Sequence, residues 1–220
     1  MITAIVFDFD GVLADSEVLH LRSYQEVLVP LGVELSRADY FARYLGFDDE
    51  GVFRTLGAEH GLGLTSEDIA GLIGRKSIVF EALESNVDML FPGAARCVRR
   101  LAGEFPLGIA SGALRHEIEG VLNRAGLRDC FAFIVASGDT PSSKPAPDPY
   151  IRAAELHQRA PAACVAIEDS KWGIESARAA GLACVGITQT YPPEELSAAD
   201  RIIDSLDELS PTLIRSLRPS

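Results

Sequence analysis

The feature that most narrows what this chain can fold into is a spacing. Five short apolar runs rich in β-branched residues, at 2–7, 107–110, 133–136, 164–167 and 184–187, and a weaker sixth at 201–203, lie unevenly along 220 residues. The runs are apolar throughout rather than alternating, which marks strands buried on both faces of a parallel sheet. Amphipathic stretches separate the later runs. Residues 93–104 place Ala94, Cys97, Val98 and Leu101 on one side, and 114–125 place Leu114, Ile118, Val121, Leu122 and Ala125 on one side before Gly126. Residues 151–157 and 173–180 also read as helices, the latter ending at Gly181. Between the first and second runs lie about a hundred residues with scarcely any strand character. There, 18–29, 37–45, 51–59, 66–74 and 75–83 read as helices, with Ser66-Glu67-Asp68 as a start signal and Gly61-Leu62-Gly63 as a breaker. The pattern predicts an α/β fold: a Rossmann-like, doubly wound parallel sheet core from residues 1–15 plus 87–220, interrupted by a helical insertion at 16–86.

Composition agrees with one core carrying an insertion. Apolar residues are 47% and charged residues 24% of the chain, ordinary globular values, and a chain this long buries about 70% of its extended surface without staples. Twenty basic against 32 acidic residues give a net charge of −12, which repels nucleic-acid backbones. No apolar run approaches the roughly 20 residues of a membrane span, and the N-terminus lacks the basic start of a secretory signal. The four cysteines (Cys97, Cys130, Cys164, Cys184) are widely spread, with no C-x-x-C pair and no adjacent histidine. That spacing suits neither a zinc site nor a disulfide framework, so a reducing cytoplasm is the expected compartment.

In open parallel sheets, ligands bind beyond the carboxyl ends of the strands. Here the first run ends in Asp8-Phe9-Asp10-Gly11 and the second in Ser111-Gly112. The third is followed after a loop by Lys144-Pro145, and the fourth ends in Glu168-Asp169-Ser170. Four carboxylates, a lysine and a hydroxyl thus converge on one edge of the sheet. Residues two apart on a strand point the same way, so Asp8 and Asp10 share a side, and Gly11 permits the turn that follows. Each pair of carboxylates about 4 Å apart costs roughly 4 kcal/mol at an effective dielectric of about 20. A cation must therefore be present, or a carboxyl must hold a proton. Oxygen donors without His or Cys favour a hard cation, and Mg²⁺ fits best where a phosphate shares the site. Lys144 adds positive charge on a loop stiffened by Pro145 and Pro147, while Ser111 and Gly112, ahead of a helix, suit a phosphate oxygen.

These residues resemble the haloacid dehalogenase superfamily of aspartate-nucleophile phosphohydrolases, in the branch related to β-phosphoglucomutase. The first motif is Asp8-Phe9-Asp10-Gly11-Val12-Leu13-Ala14-Asp15-Ser16-Glu17 and the second Ile109-Ala110-Ser111-Gly112. The third is Lys144-Pro145-Ala146-Pro147-Asp148-Pro149. The fourth is Ile167-Glu168-Asp169-Ser170, followed by Gly173 and Ala179-Ala180-Gly181. The resemblance implies a helical cap at the insertion and a two-step phosphoryl transfer in which Asp8 is the nucleophile and Asp10 the acid and base. It further implies Mg²⁺ held by Asp8, the Asp10 backbone carbonyl, Asp169 and Glu168, with Ser111 and Lys144 on the phosphate oxygens. His20 and Lys76 fall where relatives carry a histidine at the cap hinge and a cap lysine.

Within such a family, the acid Asp10 favours a phosphate ester over a haloacid, because an alkoxide leaves badly without a proton whereas a halide needs none. The segment Leu45-Gly46-Phe47-Asp48-Asp49-Glu50 stands where a mutase places an arginine for a second phosphate. Three acids there repel such a group, which favours hydrolysis, with a phosphosugar mutase as the alternative. A phospho-aspartate receiver would be shorter and lack the insertion, and an idle binding protein would be missing one of the charged groups. The expectation is a monomeric, cytoplasmic Mg²⁺-dependent phosphatase acting on a small phosphate ester.

Overall fold

The computed structural model describes residues 1–45, 47–84 and 89–218. It divides into two compact units, Met1–Asp15 with Leu90–Ser220, and Ser16–Met89. The boundary expected between residues 86 and 87, and Gly46, lie outside the described residues.

The first unit is a six-stranded parallel sheet in the order β3-β2-β1-β4-β5-β6. Its strands are β1 (Ala4–Phe7), β2 (Leu107–Ala110), β3 (Phe131–Val135), β4 (Cys164–Glu168), β5 (Ala183–Ile187) and β6 (Arg201–Ile203). β1, β2, β4 and β5 are buried at every position, as apolar runs without alternation require. The order grows outward in both directions from β1, so the crevice between the ends of β1 and β4 is the switch point where such sheets bind ligands. Register fixes what stands there. Phe7 pairs with Ile109 on one side and Ile167 on the other, so Asp8, Ser111 and Glu168 leave the sheet at nearly one level.

The helices of this unit are α5 (Ala94–Ala102), α6 (Arg115–Arg124), α7 (Asp148–Leu156), α8 (Lys171–Ala179) and α9 (Pro211–Ser216). α5 buries Ala94, Cys97, Val98 and Leu101, the stripe that its spacing predicts. α7 and α8 begin three and two residues earlier than their apolar pattern indicates. Pro147 and Ser170 are their N-caps, and the Ser170 hydroxyl accepts from the Gly173 N–H. β3 likewise begins at Phe131, two residues before the predicted run. The four cysteines are unpaired, three of them buried. Among the described residues, no helix is long and apolar enough to cross a membrane.

The second unit is helical: α1 (Glu17–Leu28), α2 (Arg37–Asp39, running into a π-helical turn at Tyr40–Tyr44), α3 (Asp49–Glu59) and α4 (Ser66–Glu84). The two helices expected at 66–74 and 75–83 are one. Buried Ile69, Leu72, Lys76 and Phe80 keep a single phase across Gly74, and an exposed glycine inside a helix costs only about 1 kcal/mol.

Candidate active site

The carboxyl edge of the sheet brings Asp8, Lys144, Glu168 and Asp169 together. Asp8 follows β1 directly, its N–H donating to the Ile167 carbonyl at 2.9 Å. Glu168 ends β4 with no exposed surface, and Asp169 is 4% exposed. Oxygens of Asp8, Glu168 and Asp169 lie within 4.8 Å of one another. Three buried carboxylates at that spacing demand compensation, and Lys144 supplies part of it. Its Nζ stands 2.6 Å from Glu168 Oε1 and 2.9 Å from Asp8 Oδ1. The approach to Asp8 is an ion pair off the hydrogen-bond direction, so Oδ1 is buried without an aligned donor.

The charges of this cluster set one another's protonation. Burial pushes the Asp8 carboxyl up to about 7, because desolvation outweighs the Lys144 ammonium, and the Glu168 and Asp10 charges add to the rise. Burial alone would lower the Lys144 ammonium, but the flanking Asp8 and Glu168 carboxylates hold it above its usual value. One lysine therefore leaves the acids short of positive charge. An oxygen-only donor set, with a buried Asp8 oxygen served by no aligned donor, fits a small divalent cation such as Mg²⁺.

Glu168 is held more tightly than the sequence indicated. The Tyr150 hydroxyl, on α7, donates to Oε1 at 2.6 Å, and Oε2 accepts from the Ser170 hydroxyl and the Asp169 N–H. Burial and the Glu168 charge keep the Tyr150 phenol neutral far above its ordinary range, so it remains a donor. A β-carbon on Gly173 would lie 1.9–2.0 Å from the Glu168 carboxylate. The first turn of α8 is thus open to that group only because residue 173 has no side chain. Tyr150 carries no sequence signal for this role, since it stands as an ordinary apolar position of an amphipathic helix.

Asp10 lies outside the three-carboxylate cluster and is half-buried on the turn after Asp8. Gly11 takes a φ of +73° there, and a β-carbon on it would lie 1.9 Å from an Asp169 oxygen. Both the conformation and the close approach require glycine. At the end of β2, the Ser111 N–H donates to the Val135 carbonyl and its hydroxyl accepts from the Ala113 N–H at 3.1 Å. Ser111 is buried and Gly112 exposed. The Lys144-Pro145 peptide is cis.

His20 and Lys76 belong to the helical unit and meet each other. Lys76 is wholly buried, its Nζ 2.7 Å from His20 Nδ1 and 3.1 Å from Asp49 Oδ1. The same Asp49 oxygen accepts from the Tyr24 hydroxyl at 2.5 Å. The acidic segment after Leu45 is therefore not one repelling patch. Asp48 accepts from the Gly51 N–H as the N-cap of α3, Glu50 pairs with Arg54, and Asp49 turns inward onto Lys76.

A doubly wound sheet with a helical insertion after its first strand, and with these acids and this lysine at its carboxyl edge, is the architecture of one enzyme family. The chain belongs to the haloacid dehalogenase-like hydrolases, whose model matches residues 5–187. Among curated relatives it is 32% identical to protein CbbY of Rhodobacter capsulatus over 97% of this chain and 98% of that one. It is 30% identical to hexitol phosphatase B of Escherichia coli, over 95% of each chain. Its fold matches the crystal structure of β-phosphoglucomutase from Clostridium difficile with a TM-score of 0.88, at 22% identity, over 98% of this chain and 96% of that one.

Proposed function

We propose that this hydrolase is a Mg²⁺-dependent, monomeric cytoplasmic phosphatase that cleaves a small phosphomonoester through a phosphorylated Asp8. The observation that carries the reading is the buried Asp8 oxygen without an aligned donor, set beside Lys144 and two further carboxylates at the switch point of the sheet. An anionic nucleophile approaches an anionic ester only where positive charge surrounds both. Asp8, Glu168, Asp169 and the Asp10 carbonyl would hold Mg²⁺, which when bound supplies that charge.

In the first step Asp8 attacks phosphorus while Asp10 gives a proton to the departing ester oxygen. In the second, Asp10 takes a proton from the water that cleaves the aspartyl phosphate, and phosphate leaves. Lys144 and Ser111 hold the equatorial oxygens as charge moves onto them, and Gly11 and Gly112 admit the phosphoryl group at close range. Lys144 also favours the ionised form of Asp8, against the stronger effect of burial, which favours the protonated one.

His20 and Lys76, expected among the substrate-binding residues, are engaged with each other and with Asp49 inside the helical unit. The Lys76–Asp49 pair favours hydrolysis over mutation, since a lysine already matched by a carboxylate is a poor holder for a second phosphate. The substrate expected is a hydroxylated monophosphate such as a sugar or polyol phosphate.

Hydrolysis of a panel of such esters and of p-nitrophenyl phosphate, with and without EDTA, tests the reading. Turnover is expected to need the metal and to vanish in Asp8→Asn. Turnover indifferent to EDTA would remove the metal, and turnover surviving in Asp8→Asn would remove the nucleophile. Conversion of β-glucose 1-phosphate to glucose 6-phosphate would install the mutase instead.

A further inference from the structure

The turn that carries Asp10 is fastened from the far end of the sequence. The Gln189 side-chain amide, two residues beyond β5, donates to the Gly11 carbonyl at 2.8 Å and to the Val12 carbonyl at 3.0 Å. Both acceptors are carbonyl oxygens, so the NH₂ group must face them. The adjoining Thr190 hydroxyl lies 2.6 Å from where a Gly11 β-carbon would stand, on the same side as Asp169. Within the turn, Gly11 N–H donates to Ala14, and Leu13 and Ala14 N–H both donate to Phe9. These bonds shape the turn internally, whereas Gln189 ties it to the loop after β5. That loop is anchored in turn, with the Thr188 N–H on the Ile203 carbonyl and its hydroxyl on Asp204.

We infer that Gln189 is a positioning residue for proton transfer: its amide fixes the Gly11–Val12 peptides and through them the place of the Asp10 carboxyl beside Asp8. The inference rests on the phosphatase reading and deepens it. In the first step the Asp8–phosphorus bond forms, the phosphorus–ester oxygen bond breaks, and the Asp10 proton goes to the departing oxygen. A displaced Asp10 carboxyl impairs proton transfer, which matters only when the leaving oxygen needs the proton. A hexose 6-phosphate, which expels an alkoxide, is sensitive, whereas p-nitrophenyl phosphate expels a stable anion.

The test compares kcat/KM on those two esters in Gln189→Met, which keeps the side chain's length without its donors, and in Gln189→Glu, which turns an acceptor toward the carbonyls. Parameter kcat/KM reports steps only as far as phosphorylation of Asp8. The expected result is a loss of about ten- to a hundredfold on the alkyl ester, and less than about threefold on the nitrophenyl ester. Equal losses on both esters, or none on either, overturn the inference. Amide hydrogen exchange gives a readout independent of turnover: the Gly11, Leu13 and Ala14 amides are expected to exchange faster in Gln189→Met. Unchanged protection refutes the fastening even in an active enzyme. Faster exchange in a protein whose wild type cleaves neither ester would retain the fastening and defeat the phosphatase reading.

Discussion

Replacing Gly173 by alanine pits helix propensity against geometry. At an exposed position inside a helix the change gains about 1 kcal/mol. Here the new methyl carbon would lie 1.9 Å from both Cδ and Oε1 of Glu168 and 2.0 Å from Oε2. Ordinary carbon contacts begin near 3.5 Å, so the carboxylate must retreat by about 1.5 Å. It is not free to do so, because Oε1 sits 2.6 Å from both Lys144 Nζ and the Tyr150 hydroxyl, and Oε2 accepts from Ser170 and the Asp169 N–H. Giving up the two Oε1 bonds, each to a charged acceptor and worth roughly 1.5–3 kcal/mol, outweighs the helix gain. The expected net loss is about 2–5 kcal/mol, a fall of roughly 5–15 °C in Tm for a protein of this size, together with weakened Mg²⁺ binding. Urea and thermal denaturation of Gly173→Ala measure it. The decisive control is the double-mutant cycle with Glu168→Ala, where no carboxylate remains to be displaced and Gly173→Ala is expected to stabilise. A loss of equal size in both backgrounds, or an undiminished stability of the single variant, would refute the steric argument.

Four further outcomes follow from the same site and its surroundings. Tyr150→Phe removes a buried donor from Glu168 Oε1 but leaves Lys144 in place, so urea denaturation should show a loss of about 1–3 kcal/mol, smaller than that of Gly173→Ala. The Asp8 carboxyl, held at about 7 by burial, carries a proton in the folded protein over a pH range where the unfolded chain has lost it. Stability of the metal-free protein is therefore expected to fall as pH rises from about 4 toward 7. With Asp8 holding Mg²⁺ as proposed, the proton competes for it, and calorimetric titration should show apparent Mg²⁺ affinity dropping up to about tenfold for each pH unit below 7. A pH-independent affinity would take Asp8 out of the metal site. Burial pushes the Cys97 and Cys164 thiols up to about 11 and the Cys184 thiol well above its usual value, while Cys130 is half-exposed. A chromogenic disulfide at pH 8 should thus titrate one thiol in the native protein and four after denaturation.

Much of this site was legible along the chain. Asp8, Ser111 and Glu168 could be placed at one edge because each directly follows an apolar run, and strand ends in a parallel sheet gather at the same level. Lys144 was legible more weakly, through a proline-rich loop after the third run. Other groups gave no such signal. Tyr150 occupies an ordinary buried helix position, Gln189 lies in an unremarkable loop, and Asp49 reads as one acid among three until Lys76 is seen against it. α4 reads along the chain as two helices because a glycine signals an interruption locally, while the buried face that carries the helix through Gly74 runs from Ile69 to Phe80.

By itself, then, the sequence determined the class of fold, the place of the insertion and the acids at the sheet edge. Those follow from hydrophobic period and from neighbours a few positions away, quantities that a linear chain displays directly. Only the tertiary structure decided how Glu168 is gripped, which acid matches Lys76 and what fastens the Asp10 turn. Each of those depends on a distance of a few ångströms between residues 18 to 178 positions apart, such as Tyr150 with Glu168 and Gln189 with Gly11, and packing of the folded chain alone sets such distances.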